Sequence, residues 1–273
     1  FVIADQDERR ALITAGLQKT AKELGGQVWH NADLLEEINY LVEYPTPLYG
    51  RIDEEFLDLP VPAVVTPMRD HQRYYPVRKQ DGSLMPYFLT VRNGGDRAIR
   101  NVQIGNERVL RARLDDAKFF FDGDRRKSLE GHREALSRIN YQEGMGTMLD
   151  KADRRVKLVE AIGEDWNFTD TEKADVRRAA YLSKSDLATG MVTEFTELQG
   201  EMGKEYALLD GEKPKVAAAI FEQYMPRFAG DVLPKSSIGR ALSLSDKLDN
   251  LAATFLRGLI PTGSQDPFAL RRQ

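Results

Sequence analysis

Chemistry by side chains needs a nucleophile, a proton carrier or a set of metal ligands, and this chain holds few residues that supply them. It contains no Cys, which removes thiolate nucleophiles, disulfides and thiolate–zinc sites together. Its three His residues, His30, His71 and His132, lie in separate segments. They lack the paired spacing by which two imidazoles share one helix face around a metal. Gly203-Lys204 is followed by Glu205 and has no Gly at the earlier position that a phosphate loop requires. GxGxxG and nucleophile-elbow spacings are missing too, so dinucleotide binding and serine hydrolysis have no support.

Two carboxylates stand on apolar-periodic segments. They are Asp186 in Leu182-Ser183-Lys184-Ser185-Asp186-Leu187, and Asp246 in Leu244-Ser245-Asp246-Lys247-Leu248-Asp249. Their surroundings resemble the HD phosphohydrolase arrangement, an all-helical fold whose His and Asp side chains hold metal ions. In that pattern a His directly precedes the first Asp, and further His residues lie upstream and between. Here Ser185 takes the His position, Gln142 stands about where the first His falls, and no His follows His132. Two isolated carboxylates do not make a transition-metal hydrolase site. The expectation is a metal-free, HD-like helical domain with Gln142, Ser185, Asp186 and Asp246 at its degenerate positions. The bland alternative makes both Asp residues buried carboxylates bonded to Lys or backbone N–H groups. A residual Mg²⁺-dependent phosphohydrolase is a third reading.

Charge points to another kind of site. The formal net charge of −4 hides an asymmetry. Residues 1–68 hold 5 Lys/Arg against 12 Asp/Glu, residues 69–127 hold 14 against 8, and residues 128–273 hold 20 against 23. The middle stretch therefore suits a polyanion locally. The bland alternative is a solvated helix face with its bases paired to Asp115, Asp116 and Asp124. Arg69-Asp70-His71-Gln72-Arg73-Tyr74-Tyr75 is a basic and aromatic cluster of a kind that contacts phosphate and stacks a base. It is also what a sheet edge made soluble by charge looks like.

The elements that must position these residues can be read in outline. Residues 5–24 form a polar-faced helix with Ala11, Leu12, Ala15 and Leu24 on its apolar side, stopped by Gly25-Gly26. Asp33 caps a helix over Leu34–Glu43, where Leu34, Leu35, Ile38, Leu41 and Val42 recur at helical spacing, and Pro45 and Pro47 end it. Five prolines exclude a long helix between 60 and 86. Val61, Ala63, Val64 and Val65 read as a strand, as does Tyr87–Val91. Gln80-Asp81-Gly82-Ser83 is a turn joining Tyr74–Val77 to Leu84–Leu89, so residues 60–92 are expected to form a small, mostly antiparallel sheet. From Asp96 the chain turns helical, with Arg97, Arg100, Arg108, Arg111 and Arg113 on residues 97–121 and an interruption at Gly105. Thr169-Asp170-Thr171-Glu172 has capping-box spacing for a helix running to Ala188. Lys213-Pro214 opens a helix through Tyr224. Pro226 and Pro234 bracket a loop, and Ser236–Leu256 is a last long helix. The longest uninterrupted apolar run, Val216–Phe221, is too short to span a membrane.

Seven segments carry a family resemblance. They are LLEEINYLVEYPTPLYGRIDEEFLDLP (34–60), MRDHQRYYPV (68–77), NERVLRARLDDAKFFF (106–121), GTMLDKADR (146–154), MVTEFTELQGEMGKEYA (191–207), PRFAGDVLP (226–234) and IPTGSQDPFALRR (260–272). In content and order the chain resembles the beta subunit of the bacterial two-subunit glycyl-tRNA synthetase. It would be a central piece of a longer subunit, lacking an N-terminal region and a C-terminal anticodon-binding domain. The opening at Phe1 rather than Met, and a helix just beginning at Leu270–Gln273, agree with that.

The resemblance implies an α+β chain. Residues 1–123 would be an incomplete α/β portion, similar to the B3/B4 region of phenylalanyl-tRNA synthetase and holding the small sheet. Residues 124–260 would be the helical, degenerate HD-like domain, and 261–273 the start of a linker. It further implies that the alpha subunit carries the class II active site, making glycyl-adenylate from ATP and glycine with Mg²⁺. The beta subunit would chiefly engage tRNA. This piece would have no catalytic residue, cofactor or metal of its own. Its partners would be the alpha subunit and tRNA(Gly), in the cytoplasm and away from membranes. Acceptor-stem RNA is read mainly by shape and backbone. The candidate contacts are Arg108, Arg111, Arg113, Arg125, Arg126 and Lys127, with Arg69, His71, Arg73 and Tyr74 second. The alternative is a structural scaffold inside the synthetase that scarcely touches RNA.

Overall fold

The structure, a computed structural model, describes residues 2–263 and 265–272. The readings placed on Phe1 and on Gln273 lie outside the described residues. The architecture is α+β: a four-stranded antiparallel sheet in the first part of the chain, then helices. The chain divides into two compact units between Phe121 and Asp122.

In the first unit, α1 (Gln6–Glu23) is capped by the Asp5 carboxylate, which accepts from the Asp7 and Glu8 N–H groups. It ends before Gly25, whose φ of +78° suits the left-handed turn there. Its buried stripe is Ile13, Leu17 and Ala21, spaced by four, while Leu12 faces solvent. Short apolar residues lie on both sides of α1, and packing against the sheet chose the side that sequence spacing did not. After β1 (Gln27–Val28), α2 (Ala32–Leu41) starts at Asn31 rather than Asp33. The Asn31 Oδ1 accepts from the Leu34 N–H at 2.9 Å, and Asp33 sits in the first turn, where an acid favours the helix dipole. Leu41 at the far end is exposed.

Pro45 and Pro47 do more than end α2. They lie in β2 (Pro45–Arg51), which pairs antiparallel with β4 (Leu84–Asn93) in the order β1-β3-β4-β2. β2 is an edge strand, where a residue without an N–H is tolerated. Val61–Thr66 is a helix, α3, not the expected strand. Pro60 is its N-cap and Pro62 lies in its first turn, where a missing N–H costs nothing and the ring presets φ. β3 (Tyr75–Arg78) and β4 form the hairpin around residues 79–83, as the turn residues predict. The core packs Ile13, Leu17 and Ala21 with Leu34, Ile38 and Val42 of α2 and with Tyr75, Val77 and Leu89 of the sheet.

On β2, Gly50 lies so close to Phe88 that an added Cβ would overlap the ring at Cζ. Gly50→Ala is expected to destabilise this unit by about 1–3 kcal/mol through overpacking, read as a lower urea midpoint. A second change, Phe88→Leu, should recover part of the loss; an unchanged midpoint in Gly50→Ala alone would contradict this packing.

The helix α4 (Ile99–Asp124) follows and is not interrupted at Gly105. Arg97 lies before it, beyond Ala98 with its φ of +55°. Leu110, Leu114 and Ala117 are its buried side.

The second unit is helical: α5 (Leu129–His132), α6 (Met148–Asp165), α7 (Asp170–Leu182), α8 (Gly190–Glu194), α9 (Glu201–Leu209), α10 (Pro214–Glu222) and α11 (Ser237–Leu256). Both α6 and α7 start in reciprocal capping boxes, Thr147/Asp150 and Thr169/Glu172. The second was visible in the sequence. α7 stops at Leu182 instead of reaching Ala188, because Lys184 adopts a left-handed φ of +69°. No helix of the described residues is long and apolar enough to cross a membrane.

Candidate functional site

The two Asp residues singled out in the sequence lie in the interior of the helical unit. Asp246 projects from α11 into a group of cations. Its Oδ1 is 3.2 Å from the Lys151 Nζ and 3.5 Å from the Arg155 Nε, and its Oδ2 is 3.2 Å from the Lys184 Nζ. Three residues on, Asp249 receives the Lys151 Nζ at 3.0 Å and the Arg154 Nε at 2.6 Å. Lys151, Arg154 and Arg155 come from neighbouring turns of α6, so two helices meet through a short charge ladder. The Asn250 Oδ1 closes it, accepting from the Lys151 Nζ at 2.7 Å and the Tyr141 hydroxyl at 3.0 Å. The Arg155 Nη1 donates to the Ser183 Oγ at 2.8 Å.

Burial alone raises the Asp246 carboxyl, but Lys184, Arg155 and Lys151 outweigh it and hold it well below the usual carboxylate range. Asp249 is lowered in the same way by Arg154 and Lys151, against its burial. Burial lowers the Lys184 ammonium to about 7, with Asp246 acting against that shift. The ammonium also sits 3.9 Å from the centroid of the Tyr224 ring, a cation–π contact. Its left-handed backbone delivers this: the turn that ends α7 aims the Lys184 side chain inward.

Asp186 stands apart from this ladder. Its Oδ2 accepts from the Gly200 N–H at 2.6 Å, burial raises its carboxyl, and its Oδ1 has no hydrogen-bond partner among the described residues. Ser185 is buried and its hydroxyl is likewise unpartnered. Gln142 lies in the turn before α6 with its carboxamide oxygen buried. No group of three or more His, Cys, Asp or Glu that could hold a metal ion occurs among the described residues. The chemistry of the donor set agrees, for ammonium and guanidinium groups already surround Asp246 where a cation would have to approach. These residues do not fit a divalent ion.

The basic candidates fall on both units. Arg111 is ion-paired with Asp53, Arg69 with Asp70 at 2.7 Å, Arg73 with Glu37 at 2.8 Å, and Arg125 with Asp210 at 2.8 Å. None of these pairs uses the acids named in the bland reading of the charge run. Asp115 and Asp116 are exposed and make no ion pair among the described residues. Asp124 is buried against backbone N–H groups. Arg108, Arg113, Arg126 and Lys127 are exposed and unpaired among the described residues. His71 is half-buried. Tyr74 is buried and stacked on Phe88 with centroids 4.5 Å apart, and burial pushes its hydroxyl up to about 12. Its ring already has a partner, so base stacking on Tyr74 does not fit this structure.

Sequence reading missed Lys151, Arg154, Arg155, Lys184 and Asp249. Their signal was present but faint. Lys151, Arg154 and Arg155 are spaced three and four apart, as Asp246 and Asp249 are three apart, and Lys184 directly precedes Ser185-Asp186.

Comparison with known proteins gives a consistent picture. The model of the family described as glycyl-tRNA synthetase beta subunit matches residues 1–273. The glycine–tRNA ligase beta subunit of Clostridioides difficile is 52% identical over 273 residues, which cover all of this chain and 39% of that protein. Those of Halothermothrix orenii and Shouchella clausii are each 50% identical over 273 residues, covering 40% and 39% of their lengths. The chain thus spans about 40% of the length of the curated relatives it matches.

Proposed function

Since the chain belongs to the glycyl-tRNA synthetase beta subunit family, we propose that it binds and positions tRNA(Gly) within a glycine–tRNA ligase. The ligase joins glycine to tRNA at the expense of ATP, in the cytoplasm. On this reading the alpha subunit is the partner and holds ATP, Mg²⁺ and the reacting groups. Residues 1–123 serve as a B3/B4-like portion, 124–260 as a degenerate HD-like domain, and 261–273 as the start of a linker. One observation carries the RNA reading. In a stretch with 14 Lys/Arg against 8 Asp/Glu, Arg108, Arg113, Arg126 and Lys127 remain exposed without an acid to neutralise them. Unpaired cations are what phosphate oxygens replace counterions with, and they make binding fall steeply with salt.

The test is charge reversal in the complete synthetase. Arg126→Glu with Lys127→Glu should weaken tRNA binding at low salt by about tenfold or more. The slope of log affinity against log salt should become shallower by about 2, close to one for each phosphate no longer neutralised. Glycine activation, measured by pyrophosphate exchange, should be unchanged. Unaltered affinity and slope would remove these residues from the interface.

The scaffold reading has one observation in its favour. Arg69, Arg73, Arg111 and Arg125 are already engaged by acids of the same chain. Footprinting separates the two, because a scaffold leaves the acceptor stem open to cleavage.

A further inference from the structure

Helix α11 is inside out for a surface helix. Its buried side carries Ser243, Ser245, Asp246, Asp249 and Thr254, two of them members of the charge ladder. Its exposed positions beyond Arg240 are Leu244, Leu248, Ala252, Phe255 and Leu256, with no charge among them. Leu244 is 36% exposed, Leu248 41% and Phe255 49%, and Leu251 between them is half-buried. Leu244, Leu248, Leu251 and Phe255 are spaced by four, three and four residues, so they share one helix face. At 1.5 Å per residue the stripe is about 16 Å long. The other faces of α11 are taken by α6, α7 and α10. A surface helix ordinarily turns charged residues outward and apolar ones inward. Single exposed leucines need no explanation, but a contiguous apolar stripe on an uncharged face marks an interaction surface.

The form of the occupant follows from the stripe. The backbone N–H and C=O groups of α11 are spent within the helix, so only side chains are on offer. A strand laid there would bury its own backbone groups unpaired, whereas a helix brings them already satisfied. An amphipathic helix with apolar residues three and four apart packs into such a stripe.

The source of that helix follows from length and position. Residues 1–273 span about 40% of the glycine–tRNA ligase beta subunits they match, so a subunit of that size has most of its residues outside this stretch. After Leu256 the chain turns back toward the middle of α11, for Ala269 borders the same cleft as Asp246, Lys247 and Asn250. Lys247 and Asn250 are the chain neighbours of Leu248 and Leu251. A segment tethered there meets the stripe at an effective concentration in the millimolar range, an advantage that a second copy lacks.

We propose that the apolar stripe of α11 seats an amphipathic helix from the part of the complete beta subunit that follows residue 273. That helix packs on Leu244, Leu248, Leu251 and Phe255. The inference rests on the length of the family's members and is independent of the tRNA reading.

The test puts a photoreactive residue on this face in the complete synthetase, as Leu248→p-benzoylphenylalanine and, separately, Phe255→p-benzoylphenylalanine. Irradiation and peptide mapping are expected to join each position to a peptide beyond residue 273 of the same polypeptide, with no gain in chain mass on a denaturing gel. A product joined to a second beta subunit, to the alpha subunit, to tRNA or to a peptide before residue 1 would overturn the proposal, as would no product at either position. A second measurement reads the contact without the label. Leu248→Lys with Phe255→Lys touches no member of the charge ladder. It should speed limited proteolysis beyond residue 273 by about tenfold, because cleavage tracks how often the seated segment opens. Leu248→Met keeps the apolar volume and should leave that rate within about twofold. A rate unchanged in the double lysine variant would show that nothing from beyond residue 273 sits on this face.

Discussion

Asp246→Ala is expected to destabilise the helical unit by about 3–5 kcal/mol, the usual cost of removing one member of a buried ionic group. The loss comes less from missing attraction than from what stays behind. Lys184 and Arg155 would remain buried without the carboxylate that justifies them, while Lys151 would keep Asp249 and Asn250. That is a large share of the about 5–15 kcal/mol by which a domain is stable. Urea unfolding followed by Trp166 fluorescence, with Trp29 replaced by Phe, would report on this unit alone. Lys184→Met should cost far less, about 1 kcal/mol, since Asp246 keeps two cations and the lysine already suffers from burial. Equal losses in the two variants would contradict the asymmetry. The pH dependence separates them further. The folded carboxyl of Asp246 lies below its ordinary value of 3.8. Its contribution is therefore complete above that value and is lost as the pH falls toward the folded one. Asp246→Ala should flatten this acid limb. Lys184 lies near 7 when folded against 10.5 ordinarily. Between these values the unfolded chain binds the extra proton, so this lysine makes stability rise with pH there, and Lys184→Met should abolish that rise.

Asp124→Ala should be about as damaging, near 4 kcal/mol. The Asp124 carboxylate is buried at the end of α4 and accepts three hydrogen bonds. They come from the Gly190 N–H at 2.7 Å, the Met191 N–H at 2.9 Å and the Tyr206 hydroxyl at 2.8 Å. The first two donors open α8 and have no intrahelical acceptor, and the third belongs to α9. Burial, then the nearby Asp124 charge, pushes the Tyr206 hydroxyl well above its ordinary value, so it stays a donor at any working pH. One carboxylate thus ties three helices, and alanine would leave three donors, two of them buried, unpaired at once. Asp124→Asn keeps one acceptor oxygen and should lose about half as much. Hydrogen exchange at the Gly190 and Met191 amides gives the local readout. Protection unchanged in Asp124→Ala would show that the carboxylate is not their acceptor.

Asp124 also shows where reading a sequence stops. It sits among Arg125, Arg126 and Lys127, and its neighbours suggest a surface ion pair. Its true partners are 66, 67 and 82 residues away. The Lys151–Asp249 pair spans 98 residues. Local spacing hints at Lys151 and Asp249 but not at which residues meet. The α+β class, the hairpin around Asp81-Gly82 and the Thr169–Glu172 cap were legible, because each depends on residues within a few positions of one another. Val61–Val65 was misread for the same reason in reverse. Its β-branched residues favour a strand locally, while Pro60 and Pro62 favour a helix start, and both are local signals of similar strength.

By itself, then, the sequence determined the alternation of elements, the basic middle stretch, the lack of thiols and the order of segments that marks the family. The tertiary structure decided which side of α1 is buried, which arginines are neutralised and what surrounds Asp246. Turns, caps and hydrophobic period are short-range, and their energies are settled within a few residues. Charge pairing and burial are long-range. They depend on which helix the fold brings alongside, so the same Asp reads as a ligand, a cap or a counter-ion until the packing is known.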